Sequence, residues 1–148
     1  LIGDKHPDWK IDIFGACPED DPFRQMTAGT TINIHEPVRD IQQEYLSSAI
    51  YALPSHFEGF GMVLLEAMAC GVPCVSFDCP CGPGDIIADG EDGFLVGNGD
   101  IDEFAEKLAA LIDDAELRRR MGGKARSNVR RYDIEMIGRQ WDKLFMEL

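Results

Sequence analysis

Ala49-Ile50-Tyr51-Ala52-Leu53, Pro54-Ser55-His56-Phe57-Glu58-Gly59-Phe60-Gly61, Met62-Val63-Leu64-Leu65-Glu66-Ala67-Met68-Ala69-Cys70, Gly71-Val72-Pro73 and Cys74-Val75-Ser76-Phe77 follow one another without a break. The first block is a near-continuous apolar run, which reads as a strand buried on both faces. Gly61 to Cys70 is rich in Met, Leu, Glu and Ala and reads as a helix, stopped by a Gly-then-Pro signal. Pro73 to Phe77 is a second strand. Strand, loop, helix and strand in that order make a βαβ unit, hence a parallel pair of strands.

The same alternation continues on both sides. Upstream, Lys10–Gly15 and Thr30–Ile34 read as strands, with helical stretches at Asp21–Thr27 and Arg39–Ser48. Downstream, Gly84–Asp89 reads as one or two helical turns and Gly93–Val96 as a short strand. The last third is helical. Asp100 is an N-cap with Glu103 as capping-box partner. Ile101, Phe104, Ala105, Leu108, Leu111 and Ile112 then keep the helical period. Ala115–Val129 continues as a second helix, with Gly122-Gly123 as a point of bending. Asp133 caps a third, whose Ile134, Ile137, Trp141, Leu144 and Phe145 form one apolar stripe. The expected fold is α/β, a Rossmann-like parallel sheet flanked by helices, in a single domain over residues 1–148. In such sheets ligands bind beyond the carboxyl ends of the strands.

Composition narrows the function. The chain has 148 residues, 14 Lys plus Arg against 27 Asp plus Glu, and a formal charge of −13. That charge argues against a nucleic-acid partner or a generic anionic-membrane surface. No apolar run reaches the roughly 18 residues of a membrane span. The segment Leu1–Pro7 shows no signal peptide, and the missing initiator Met suggests a fragment. Five cysteines, an odd number, read as reduced thiols of a cytoplasmic protein. Cys70-x3-Cys74 and Cys79-x-Cys81 do not match the spacing of a paired zinc motif, so no metal is expected.

The loop from Pro54 to Gly61 carries the chemistry. It delivers two glycines and the Glu58 carboxylate to the place where a helix begins. Glycine lets backbone approach a ligand closely, and free amides at a helix N-terminus attract phosphate. Glu66 follows eight positions later, close to two helical turns. A carboxylate accepts hydrogen bonds from a vicinal diol, so the pair suits a nucleotide-sugar: one acid for ribose, one for a hexose. On spacing alone, a glycine-rich loop with surface glutamates fits as well.

Glu58-Gly59-Phe60-Gly61-Met62-Val63-Leu64-Leu65-Glu66-Ala67-Met68-Ala69-Cys70-Gly71-Val72-Pro73 closely resembles the signature of glycosyltransferase family 4. Gly82-Pro83-Gly84-Asp85-Ile86-Ile87 and Asp89-Gly90-Glu91-Asp92-Gly93-Phe94-Leu95-Val96 follow at the expected distances. The resemblance implies the C-terminal, donor-binding half of a GT-B fold, in a retaining enzyme that needs no metal or other cofactor for catalysis. By that resemblance Glu58 is the catalytic carboxylate beside the anomeric carbon, as nucleophile or as electrostatic stabiliser. Gly59, Phe60, Gly61, Met62 and Val63 meet the sugar and phosphates, Glu66 binds the ribose, and the backbone at Val38 and Arg39 holds the base. The expected activity is hexosyl transfer from a nucleoside-diphosphate sugar, with UDP as the first guess. The acceptor is a saccharide or lipid-linked molecule of polysaccharide biosynthesis. A catalytically silent nucleotide-sugar-binding module is the alternative. The turn Gly15-Ala16-Cys17-Pro18 has one glycine where the family commonly has two. The family's first βα unit, with its phosphate-neutralising Arg and Lys, and the N-terminal acceptor domain are expected to be absent from this chain. The isolated chain is therefore expected to bind donor weakly and not to turn it over.

Other residues attract notice. His56 stands beside Glu58, and His35 ends a strand. Cys79-Pro80-Cys81-Gly82-Pro83 reads as a rigid loop shaping the sugar pocket. Arg118 to Arg131 holds seven basic residues in 14 positions. It reads as a solvated helix face, with peripheral contact to anionic lipid at the inner membrane face as its alternative. The Trp141 stripe reads as core or interdomain packing.

Overall fold

The computed structural model describes residues 2, 3 and 5–147; Leu1, Asp4 and Leu148, the first two of them in the segment searched for a signal peptide, lie outside the described residues. The elements run β1 (Ile11–Phe14), α1 (Pro22–Thr27), β2 (Ile32–His35), α2 (Ile41–Ser47), β3 (Tyr51–Leu53), α3 (Met62–Ala69), β4 (Cys74–Asp78), α4 (Pro83–Ile86), β5 (Gly93–Gly97), α5 (Ile101–Asp113), α6 (Ala115–Asn128), a 3-10 turn (Val129–Tyr132) and α7 (Ile134–Met146). The α/β alternation is as expected, with the strand and helix ends moved by a residue or two. The strands form two hydrogen-bonded sheets rather than one: β1 with β2, and β3-β4-β5 in that order. The chain divides into two compact units, Leu1–Ile41 and Gln42–Leu148.

In the first unit β1 and β2 are parallel, from Ile11 opposite Ile32 to Phe14 opposite His35. Asp21 caps α1, its carboxylate accepting the Phe23 amide at 2.8 Å. Asp12 accepts from Asn33 at 2.9 Å and from His35 Nε2 at 2.7 Å. The His35 ring stacks on Phe14, its neighbour across the ladder, with centroids 4.7 Å apart.

The second unit is built on β4. Its Cys74, Val75, Ser76 and Phe77 are all buried, because β4 is the central strand and pairs in parallel on both sides. The double burial expected of β3 belongs to β4 instead. β3 is an edge strand of this sheet, and its Ala52 is exposed. Val75, Phe77 and Val96 meet Phe104, Leu111 and Met121 from α5 and α6 in one apolar cluster. Leu111 and Met121 are fully buried, each contributing about 1.5–3 kcal/mol relative to exposure.

Of the two helix caps expected, at Asp100 and Asp133, the first is formed, and Asp114 adds one that was not expected. Asp100 accepts the Glu103 amide at 3.0 Å, and Asp114 accepts the Leu117 amide at 2.9 Å. Asp133 makes no side-chain cap; its backbone carbonyl receives the Met136 and Ile137 amides. α6 runs unbroken through Gly122-Gly123. Gly122 is there for close approach: a β-carbon on it would lie 2.1 Å from the Gly71 carbonyl oxygen at the end of α3.

Two surface expectations are corrected. Of core and interdomain packing, the first is corrected for the α7 stripe: none of its residues is buried, and Trp141 is 55% and Phe145 66% exposed. Nor is the basic run simply a solvated face. Arg118 donates to the Leu111 and Ile112 carbonyls that end α5, and Arg131 to the Asp85 and Ile86 carbonyls that end α4. Arg119 pairs with Glu116, and Lys124 with Glu91 at 3.2 Å. Two of these arginines thus neutralise the negative ends of helices. Among the described residues, no helix is long and apolar enough to cross a membrane.

Candidate functional site

The second unit places the Pro54–Gly61 loop between β3 and α3. Gly61 adopts φ 86°, a left-handed conformation, which an L side chain enters only at a cost. A β-carbon at Gly61 would also press on Leu64 Cδ1 at 3.3 Å. Because Gly61 turns the chain so sharply, α3 begins without a side-chain cap. The first amides of a helix have no intrahelical acceptor, so the helix opens with donors at Met62 and Val63. Met62 is exposed and Val63 half-buried. Gly59 differs: a β-carbon there meets open space. The protein itself requires glycine at Gly61 and not at Gly59.

A second wall comes from the loop after β4. Gly82 has φ 114°, and a β-carbon on it would lie 1.8 Å from the Phe60 carbonyl oxygen. The two loops therefore touch backbone to backbone. Cys81, just before, has φ 66° although it is not glycine, a strained conformation of the kind that gathers at functional sites. The Phe60 ring meets Tyr132 edge-on at 5.8 Å, and the Tyr132 hydroxyl donates to the Asp85 carbonyl at 2.9 Å. Phe60 is thus held on its backbone by Gly82 and on its ring by Tyr132.

The carboxylates share one neighbourhood. Glu66 is exposed and accepts the Tyr45 hydroxyl at 3.2 Å. Burial pushes the Tyr51 phenol up to about 12, with further upward pushes from Cys74, Glu58 and Glu66. Both acids therefore act on a single phenol. Tyr45 is raised too, first by burial and then by Tyr51 and Glu66, and its ring meets Tyr51 edge-on at 5.6 Å. Burial and then Glu58 raise the Cys79 thiol.

A third loop, after β5, reaches the same segment. Asn98 bonds His56 twice, at ring Nδ1 (2.8 Å) and at the backbone carbonyl (3.1 Å). The His56 ring stacks on Phe77 at 5.4 Å. Loops from the carboxyl ends of all three strands thus converge on residues 56–61. The loop before β5 is shaped by the buried Asp92, which accepts from the Ala88 amide at 2.8 Å and from Asn128.

Of the residues singled out in the sequence, Glu58, Gly59, Phe60, Gly61, Met62, Val63 and Glu66 fall in this unit. Val38 and Arg39 belong to the first unit, where both are exposed between β2 and α2. That unit also has an open concavity of about 450 Å³ lined by Ala16, Cys17, Pro18, Glu19, Arg24 and Glu36. It contains none of the candidate site residues; three of its lining residues belong to the Gly15–Pro18 turn, and Arg24 donates to the Cys17 and Pro18 carbonyls and to Glu36. Gly82 was noted only as part of the Cys79–Pro83 loop, and Tyr45, Tyr51, Asn98 and Tyr132 were not singled out as site residues. Their roles arise from contacts between distant segments, which leave no local pattern. Among the described residues, no three His, Cys, Asp or Glu side chains gather as a metal site.

Comparison with known proteins places this geometry. The family model described as glycosyl transferases group 1 matches residues 1–128. An exopolysaccharide phosphotransferase of Streptomyces coelicolor is 37% identical over 97% of this chain and 16% of its own length. An amylovoran biosynthesis glycosyltransferase of Erwinia amylovora is 31% identical over 92% of this chain and 39% of its own. The structure of a mutant of Staphylococcus aureus TarM in complex with fondaparinux, alpha-GlcNAc-glycerol and UDP superposes with a TM-score of 0.89 at 28% identity. It is matched over 97% of this chain and 30% of that one. The chain therefore spans between about a sixth and two fifths of these proteins.

Proposed function

We propose, on the premise that this chain belongs to the glycosyl transferases group 1, that it is the donor-binding, C-terminal half of a retaining transferase. The whole protein would move a hexosyl group from a nucleoside-diphosphate sugar, UDP-linked by preference, to a saccharide or lipid-linked acceptor. Relatives concerned with exopolysaccharide and amylovoran favour polysaccharide biosynthesis, and the UDP bound to TarM favours a uridine donor.

One observation carries the reading: the loops after β4 and β5 converge on residues 56–61, and the uncapped start of α3 lies between Glu58 and Glu66 in the chain. Glu66, pre-oriented by Tyr45, accepts from the ribose hydroxyls. The amides at Met62 and Val63 receive the diphosphate, as helix N-termini do. The open space at Gly59 admits the sugar. Glu58 stabilises the positive charge that develops at the anomeric carbon as the glycosidic bond to phosphate stretches. This assignment asks nothing of a metal or other cofactor. The isolated 148 residues would bind donor without turning it over, the acceptor site being supplied elsewhere.

Thermal unfolding with UDP, GDP, ADP and UDP-glucose tests the reading. A ligand that binds only the folded state raises the midpoint by mass action. The expected result is a rise with UDP and UDP-glucose and less with the purine nucleotides. No rise with any of them at millimolar concentration overturns it.

A further inference from the structure

His56 occupies an unusual position. It follows β3 on the loop that carries Glu58, its ring lies on Phe77 near the end of β4, and Asn98 just past β5 holds it. A β-carbon on Gly99 would come within 3.5 Å of His56 Cε1, so the chain after β5 runs close against the ring edge. The residue nevertheless remains exposed. It therefore stands over the carboxyl ends of the strands, where open α/β sheets take their ligands.

The hydrogen bonds to Asn98 decide which ring nitrogen carries the proton. A backbone carbonyl only accepts, so the Asn98 atom 3.1 Å from the His56 carbonyl must be the amide nitrogen. The other amide atom, 2.8 Å from Nδ1, is then the oxygen. An amide oxygen only accepts, so Nδ1 must donate. In the neutral ring Nε2 is left as a bare lone pair. Among the described residues Nε2 has no hydrogen-bond partner.

We propose that His56 Nε2 accepts a hydrogen bond from a hydroxyl of the donor's sugar, and that Asn98 is the positioning residue that fixes this tautomer and the ring's orientation. The proposal deepens the reading above and rests on it. The chemistry selects the sugar. Phosphate oxygens are acceptors and gain nothing from a bare lone pair, whereas hydroxyls are donors; with the ribose hydroxyls assigned to Glu66, those of the transferred sugar are left. Because Asn98 also holds the His56 backbone, the same residue anchors the loop two positions before Glu58.

Two measurements test it on this chain. The first is the pair of ring nitrogen-15 shifts of His56, identified among three histidines by their loss in His56→Gln. The wild type should show a protonated Nδ1 and a bare Nε2, and Asn98→Ala should move the ring toward protonated Nε2. A wild-type ring already protonated at Nε2, or one indifferent to Asn98→Ala, overturns the proposal. The second is titration with UDP, UDP-glucose and UDP-N-acetylglucosamine. Loss of one hydrogen bond corresponds to about three- to ten-fold in affinity. His56→Ala should weaken whichever UDP-sugar the wild type binds by that factor and leave UDP within about twofold. His56→Gln, which keeps an acceptor oxygen, should recover part of the loss and serves if the alanine variant does not fold. Equal weakening of UDP and UDP-sugar, or no weakening of either, refutes the sugar contact while donor binding stands. A wild type that binds none of the three probes refutes the functional reading, and the sugar contact with it.

Discussion

Gly82 and Phe60 are in contact through their backbones: a β-carbon on Gly82 would stand 1.8 Å from the Phe60 carbonyl oxygen, 2.4 Å from its carbonyl carbon and 3.0 Å from its α-carbon. No side-chain rotation relieves such an overlap. The loop after β4 can sit against the loop before α3 only if residue 82 has no side chain. Gly82→Ala must also leave φ 114°, at a further cost of about 1–3 kcal/mol. The expected outcome is a lowered urea midpoint and loss of UDP-sugar binding. Unchanged values of both would mean that the loops are not packed as described.

The neighbouring glycines of α6 separate close packing from helix propensity. Gly122→Ala drives a β-carbon to 2.1 Å from the Gly71 carbonyl oxygen, while Gly123→Ala meets nothing within 4 Å. Gly123→Ala should stabilise by roughly 0.5–1 kcal/mol, the usual difference between alanine and glycine in an exposed helix. Gly122→Ala should destabilise, because α6 must lift away from the end of α3. Urea denaturation of the two variants checks the opposite signs.

The carboxylates should divide the donor between them. Hydrogen bonds to a charged group are worth about 1.5–3 kcal/mol, or roughly ten- to a hundred-fold in affinity. If Glu66 holds the ribose, Glu66→Gln weakens UDP itself by that factor. If Glu58 attends the sugar, Glu58→Gln leaves UDP nearly unchanged and abolishes transfer by the whole protein. Calorimetric titration with UDP reads the first pair of outcomes. Similar losses of UDP affinity in both variants would rule out this division of roles.

Tyr51 gives stability a dependence on alkaline pH. Burial and the neighbouring acids raise its phenol to about 12, and Tyr45 shifts in the same direction. A free tyrosine ionises near about pH 10. Below that value both states keep the proton and the full contribution is present. As pH rises from about 10 toward 12, the unfolded chain loses the proton first, so stability falls. Urea midpoints at about pH 9 and about pH 11.5 should show the decline, and Tyr51→Phe should reduce it. A Tyr51→Phe variant with the same decline as wild type would assign the effect to other groups.

Much of this protein was legible in the chain itself. Alternating strand and helix patterns follow from local hydrophobic periodicity, and the elements appear where Cys74–Asp78, Met62–Ala69 and Ile101–Asp113 say they should. Asp100 acts on an amide three residues away, an interaction that needs no tertiary contact. The loop Glu58–Gly61 and Glu66 could be singled out for the same reason: their chemistry lies in residue type and near spacing.

Tertiary structure decided the rest, because those features join segments far apart in sequence. Whether β3 or β4 is central depends on which strands pair, and two apolar runs look alike until they do. Gly82, Asn98 and Tyr132 show their purpose only when their segments meet Phe60 and His56. The arginines at Arg118 and Arg131 looked like part of a charged face until folding set the carbonyl ends of α5 and α4 within their reach. The stripe on α7 marks the converse: periodicity announces an apolar face, but only the packed chain reveals that these residues leave it uncovered.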